Sequence, residues 1–452
     1  MVSMIKGYLV KFNLWLFVIL TVLALPVTVN AYLVGASQTT ILPGVQIHGW
    51  QLGGLTEQTA AAYLSGYFSD FAARPVEVIA GTQSWSVIPR DCGVLVDTAA
   101  VLRRAVEAGN TGSFVTRWRM RHKIRNYGLE IPLILTVNYA KLAESLQPIV
   151  AAIETDPVDA QFVISEDRVS IVPSQSGVVV DYQQLEADFL AACRSLSHRV
   201  VEVALIDVPP ALTTAQAESM GITAKVASYV TEFDPDDVDR SHNILLAAQA
   251  LQNVLVAPGE TFSFNRTTGP RSARYGYRPA PVIIDGELLP GIGGGVCQVS
   301  TTLYNVVLLA DLAVTNRVAH SLPVTYVPLG QDATVAYDYI DFQFTNTRSH
   351  HLLIDTNVTD NQLEIAFYGT PTDNHRVQLQ SRLVGLIEPE TRTVEDPTLP
   401  PGAWKEVDAG RPGYRVEVYR VVMDETGQRV LASTKVEETV YPPRHRVLRV
   451  AP

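Results

Sequence analysis

Two stretches of this chain are copies of one another, and that duplication constrains its fold more than any other feature. Residues 85–97 read WSVIPRDCGVLVD and residues 169–181 read VSIVPSQSGVVVD, so Ser86/Ser170, Pro89/Pro173, Gly93/Gly177 and Asp97/Asp181 align at one constant offset. A repeated block implies a repeated structural unit. Each copy is β-branched and partly alternating around Pro and Gly, which predicts a strand, a turn and a second strand. Asp97 and Asp181 then stand where helix N-caps belong. Ala99, Val101, Leu102 and Val106 follow one, and Leu185, Phe189 and Leu190 the other, at helical spacing. A further helix is expected before each hairpin, over residues 57–68 and 139–153. The region from about 45 to 208 thus reads as two related α+β modules. Cys92 aligns with Ser176, so the fold needs no thiol there, and Cys193 falls on a helical stretch; both read as structural.

The rest of the chain is bounded by its length and charge. Its 452 residues leave room for about three domains. A 47% hydrophobic content allows real cores, and a net charge of −11 argues against nucleic acid as a partner. Three cysteines cannot make a disulfide framework or a four-thiolate zinc site. At the N-terminus, Lys6 and Lys11 lead into a stretch with no charged residue before Glu57, and residues 14–25 (LWLFVILTVLAL) are almost wholly apolar. This predicts a single transmembrane helix retained as an anchor; Val29 and Ala31 leave a cleaved signal peptide as the rival. Basic residues ahead of the apolar run place the bulk of the chain outside the cytoplasm in either case. No ATP pool exists there, so no cofactor is expected. Residues 117–125 (RWRMRHKIR) are basic, with no acid between Asn110 and Leu129. They read as a solvated helix face or as a grip on anionic lipid or wall polymer.

Chemistry concentrates in residues 291–305, GIGGGVCQVSTTLYN. Val299, Leu303, Val306, Val307 and Ala310 recur at helical spacing, which predicts a helix with one buried face. Cys297 falls in its first turn, where free N–H groups and the positive dipole end favour thiolate over thiol. The glycines at 293 to 295 let backbone N–H groups approach a ligand, as an oxyanion site requires. Lys-Ser/Thr is missing after them, so the run is no phosphate loop. His320 is the candidate base, and Asp332 could orient its imidazole. His350 and His351 compete for the role of base, and His242 has no partner by spacing. Residues 324–328 and 330–335 read as strands. No cluster has metal-ligand spacing, so no metal is expected.

The segments NILLAA (243–248), PGETFSFN (258–265), GGGVCQVSTTLYN (293–305), AHS (319–321), VP (327–328) and GQDATV (330–335) together resemble the VanW family. The duplicated modules resemble the peptidoglycan-binding domains that often precede VanW domains. Gly402, GRPG (410–413), Tyr419 and Gly427 resemble a G5 domain, a small β-rich module. The resemblance implies bacterial cell-envelope work, with peptidoglycan and, through the N-terminal helix, the membrane as partners. Some VanW-domain proteins are regarded as L,D-transpeptidases. Applied here, Cys297 would attack a stem-peptide carbonyl and His320 would manage the protons. Gly294, Gly295 and the Cys297 N–H would hold the oxyanion, and Ser300, Thr301 and Asn305 would bind substrate.

The chain is therefore expected to be a multidomain α+β protein. Its parts would be an anchor or signal (1–44), two repeated modules (45–128 and 129–222), a VanW domain (223–370) and a small β-rich G5-like domain (371–452). Two readings of function stand: a Cys-dependent peptidoglycan acyltransferase of the L,D-transpeptidase kind, and a non-catalytic wall-binding or scaffolding protein.

Overall fold

In both copies of the duplicated block the terminal aspartate caps a helix, as its placement implies. Asp97 accepts the N–H of Ala100 at 2.9 Å and starts the helix Thr98–Glu107; Asp181 accepts that of Gln184 at 3.0 Å and starts Tyr182–Ala192. The computed structural model describes residues 40–284, 287–371 and 375–452. The expected N-terminal anchor lies outside these residues; among those described, no helix is long and apolar enough to cross a membrane.

The two strands of each copy do not pair with each other, contrary to the hairpin expected from sequence. Gln83–Val87 pairs with Val76–Ala80, and Val94–Val96 pairs with Leu135–Val137. In the second copy Arg168–Val172 pairs with Gln161–Ser165, and Gly177–Val180 with Leu205–Val208. The linker explains the first case. Residues 88–94 coil through successive turns (Cys92 N–H to Pro89 O at 3.1 Å, Val94 N–H to Pro89 O at 2.9 Å), so the second strand leaves in a new direction. Pro89 and Pro173 also lack the N–H that a ladder would need.

The described chain divides into two compact units: residues up to 158 with 176–209, and residues 159–175 with 210–452. In the first, the helices Tyr139–Ile153 and Tyr182–Ala192 bury Leu142, Leu146, Leu185 and Phe189 against Val76, Val78 and Val201 of a three-stranded sheet. Cys92 and Cys193 are buried here. Burial raises both thiols above their ordinary value, Cys193 to about 12. Burial that suppresses ionisation suits a packing role. A second cluster gathers Ile41, Val45, Ile47, Leu64, Val101 and Leu102. The basic run lies on the helix Phe114–Tyr127, where only Ile124 is buried.

In the second unit a six-stranded sheet runs Val254–Val256, Leu352–Val358, Gln362–Gly369, Ala224–Glu232, Arg168–Val172, Gln161–Ser165. The helix Val296–Leu309 lies on it and buries Val299, Leu303, Val306 and Val307 with Ile365 and Phe367. The C-terminal part is β-rich, two three-stranded sheets built from strands between Arg376 and Val450. Mixed α+β architecture with a β-rich C-terminal end is thus what the sequence led one to expect. Residues 324–328 and 330–335 form no strand; they are irregular backbone. In 330–335 side chains supply bonds a ladder would have given.

Candidate active site

The glycine run is shaped by crowding. Gly293 and Gly295 have φ of +87° and +106°, and a Cβ on Gly294 would sit 2.4 Å from the Pro281 carbonyl oxygen. Gly295 is the N-cap of the Val296–Leu309 helix and brings no capping side chain. Among the described residues, the N–H groups of Gly293, Val296 and Gln298 have carbonyl acceptors, whereas those of Gly294, Gly295 and Cys297 have none. Two side chains fix this turn from behind. Asn243 donates to the carbonyls of Gly294 and Arg278 at 3.0 Å each and accepts from the Arg278 N–H at 2.8 Å. Gln298 donates to Glu232 O at 2.9 Å and accepts from Arg240 Nη2 at 2.6 Å.

Cys297, partly buried, is the second residue of the helix. Its Sγ lies 3.4 Å from Val335 O and 3.5 Å from the Val335 N–H. The neighbouring His320 ring favours the ionised form of this sulfur. On its other side, His320 Nδ1 donates to Asp332 Oδ2 at 2.7 Å, and the His320 backbone N–H donates to the same oxygen at 2.6 Å. Asp332 has no exposed surface. Its Oδ1 accepts from Arg317 Nη2 at 3.2 Å and from the Tyr441 hydroxyl.

The charges settle accordingly. Burial alone would raise the Asp332 carboxyl, but the His320 hydrogen bond and the Arg317 charge outweigh it and hold it below its ordinary value. Burial alone would lower the His320 imidazole; the bonds to Asp332 and Cys297 instead lift it to about 9. Burial alone would raise the Cys297 thiol, yet His320, Val335 and Arg271 together hold it below 9.0. Near neutral pH the imidazole therefore holds its proton and the thiol is shifted toward thiolate, a pair braced by the Asp332 carboxylate. Such a pair can attack an acyl carbon and protonate a leaving amine.

The structure thus brings together Cys297, His320 and Asp332 beside Gly294 and Gly295. Ser300, Thr301 and Asn305, expected to bind substrate, have no exposed surface. Ser300 donates to Ala333 O at 2.7 Å, Thr301 accepts from the Ala333 N–H at 3.0 Å, and Asn305 donates to Gln331 O at 2.8 Å. They clamp the irregular segment that carries Asp332, and nothing of them faces an open cleft. His350 lies instead beside Gly221, and His242 bonds to Gly276 O at 3.0 Å. Among the described residues no group of His, Cys, Asp or Glu is assembled to hold a metal. A cleft of about 430 Å³ opens along Asn265, Asn316 and residues 337–341.

Sequence reasoning missed Arg317 and Tyr441. Arg317 donates to the Asp332 and Gly330 carbonyls at 2.7 and 3.2 Å and to Thr439 Oγ1 at 2.8 Å. Tyr441 also accepts the Gly330 N–H at 2.8 Å. Neither sits in a motif, and Tyr441 is far away in the chain.

Comparison with known proteins places three family models along the chain. "Putative peptidoglycan binding domain" matches residues 85–202, "VanW like protein" matches 239–368, and "G5 domain" matches 386–451. "Uncharacterized protein YoaR" of Bacillus subtilis (strain 168) is 34% identical over 253 residues, which are 56% of this chain and 82% of that protein. Vancomycin B-type resistance protein VanW of Enterococcus faecalis is 34% identical over 109 residues, 23% of this chain and 40% of that protein. Two solved G5 domains also match. HP0197-G5 is 25% identical at a TM-score of 0.12, covering 17% of this chain and 99% of its own. The IgA1 protease G5 domain is 17% identical at a TM-score of 0.14, covering 18% and 95%.

Proposed function

Because this chain belongs to the VanW-like family and joins a VanW domain to peptidoglycan-binding and G5 domains, we propose that it works on peptidoglycan outside the cytoplasm as a thiol acyltransferase of the L,D-transpeptidase kind. The domain content supports association with the cell wall. The observation that carries the catalytic reading is Cys297 at a helix start beside His320, whose imidazole is hydrogen-bonded to Asp332 and held up to about 9.

In this reading the Cys297 thiolate adds to a carbonyl carbon of a stem peptide, forming a C–S bond and an oxyanion. The N–H groups of Gly294, Gly295 and Cys297 hold that oxyanion. The His320 imidazolium gives its proton to the leaving amine of the terminal amino acid as the C–N bond breaks. A thioester remains on Cys297. An acceptor amine then attacks it, neutral His320 takes the amine proton, and the C–S bond breaks to restore the thiolate. Asp332 keeps the imidazole oriented throughout and stabilises its charge.

The test is a mass spectrum of wall digests after incubation of purified wall fragments with the full chain. New peptide cross-links are expected with the natural protein and none with Cys297→Ala, while sedimentation with the wall is the same for both. Equal cross-linking by the two would remove the mechanism. Wall binding without cross-links from either would leave a non-catalytic wall-binding protein, the reading the two flanking domains favour.

A further inference from the structure

Arg271 lies beside the glycine run that precedes the nucleophile, its charge favours the Cys297 thiolate, and it is incompletely satisfied. Its side chain backs onto the glycine run: a Cβ on Gly293 would be 3.1 Å from Arg271 Cβ. The guanidinium carbon sits 5.5 Å from the ring centre of Phe264 and 5.6 Å from that of Tyr337. Tyr337 follows by two residues the Val335 that bonds Cys297, and it also lines the cleft of residues 337–341. So the guanidinium packs near two aromatic rings, and its N–H groups remain to be matched by hydrogen-bond acceptors.

Along that edge, Nη2 donates to Thr268 Oγ1 at 3.0 Å, while Nη1 is buried with no acceptor among the described residues. The neighbouring carboxylate, Asp341, is already engaged. It accepts from Ser263 at 2.6 Å, from the Asn265 N–H at 2.8 Å and from Gln343 at 2.8 Å. A charged donor buried without an acceptor is costly to keep. A guanidinium remains charged under all ordinary conditions, and a planar carboxylate is the partner its geometry fits.

We propose that Arg271, packed near the rings of Phe264 and Tyr337, is a carboxylate-binding subsite that places an acidic donor substrate against Cys297. The proposal rests on the acyl-transfer reading of Cys297, and it narrows the donor to peptides bearing a free carboxylate near the scissile carbonyl. Two carboxylates of a stem peptide have this chemistry, the C-terminal one and one on a side chain.

Two small alkylating agents test the subsite without turnover. Iodoacetate carries a carboxylate and iodoacetamide does not, and both displace iodide by forming one C–S bond. Labelling of Cys297 in the full chain is read by mass spectrometry. The iodoacetate-to-iodoacetamide rate ratio is expected to exceed that of glutathione by about ten-fold. In Arg271→Gln the ratio should fall to the glutathione value, and Arg271→Lys should keep part of the gain. Arg271 also favours the thiolate, but that effect slows both reagents alike and cancels in the ratio. A natural protein whose ratio equals that of glutathione overturns the proposal without needing any variant; so does an unchanged ratio in Arg271→Gln. The ratio stands or falls separately from cross-link formation, so failure of the subsite and failure of the transpeptidase reading are distinguishable. Donor peptides amidated at one carboxylate or the other then identify which one is bound: its amidation costs turnover in the natural protein and nothing further in Arg271→Gln. Indifference to both amidations also contradicts the subsite.

Discussion

At the scale of single residues, the account depends on who holds which proton. His320 is lifted to about 9, so the imidazole is charged near neutral pH, and Cys297 is held below its ordinary value, so its thiolate is favoured. Alkylation of Cys297 by iodoacetamide should therefore rise with pH through an inflection below that of an ordinary thiol. Turnover should fall again as the pH passes about 9, where the imidazolium loses the proton its leaving group needs. In His320→Ala only burial and weaker contacts act on the thiol, so the inflection should move upward. Labelling near neutral pH should then drop by about ten-fold or more. An unmoved inflection would make His320 structural. Asp332→Ala removes the carboxylate paired with Arg317, a side chain only 6% exposed, and should cost about 3–5 kcal/mol in urea denaturation. Cys297, His320 and Asp332 were legible in the sequence because each chemistry has few residue types that can perform it. Arg317 and Arg271 were not legible, since a guanidinium's role depends on what surrounds it.

At the scale of elements, the helix Val296–Leu309 shows both what periodicity can and cannot reveal. Val299, Leu303, Val306, Val307 and Ala310 are buried, as their spacing implies. Yet Gln298, Ser300, Thr301, Thr302 and Asn305 are buried as well. A polar residue on a helix suggests a wet face, but here each meets a specific partner in a strand or loop. The same bonds replace a ladder around residues 331–333, since side chains satisfy the Gln331 and Ala333 backbone. Thr301→Val should leave the Ala333 N–H without an acceptor and destabilise the fold by about 1–3 kcal/mol in urea denaturation. It should also slow turnover more than it slows wall binding, because the Asp332 segment loosens; equal effects on both would oppose this view. Gly295→Ala should be worse. Its φ of +106° disfavours a side chain, and the Cβ would stand 2.9 Å from Arg240 O. Loss of soluble folded protein, or of Cys297 labelling, is the expected reading.

At the scale of the whole molecule, the G5-matched region (386–451) reaches into the site. Tyr441 bonds Asp332 and Gly330, Thr439 bonds Arg317, and Glu437 bonds the Tyr304 hydroxyl at 3.4 Å. Tyr441→Phe should keep the fold and the wall binding, yet lower turnover and shift the alkylation profile of Cys297 upward; an unchanged profile would make the contact incidental. The β-rich C-terminal end was expected from its resemblance to a G5 domain, but this contact was not. Pairing over a hundred residues of separation leaves no local pattern. The duplicated block teaches the same lesson, because its strands were legible while the sheets they join were decided by distant partners. The central claim, that Cys297 carries an acyl group, is tested most directly by trapping it. The full chain, mixed briefly with a stem tetrapeptide and quenched in acid, is weighed intact and then digested. The expected result is a mass gain equal to the peptide less its terminal residue, located on Cys297 and missing in Cys297→Ala. A gain on another residue, or the same gain in Cys297→Ala, would contradict the account.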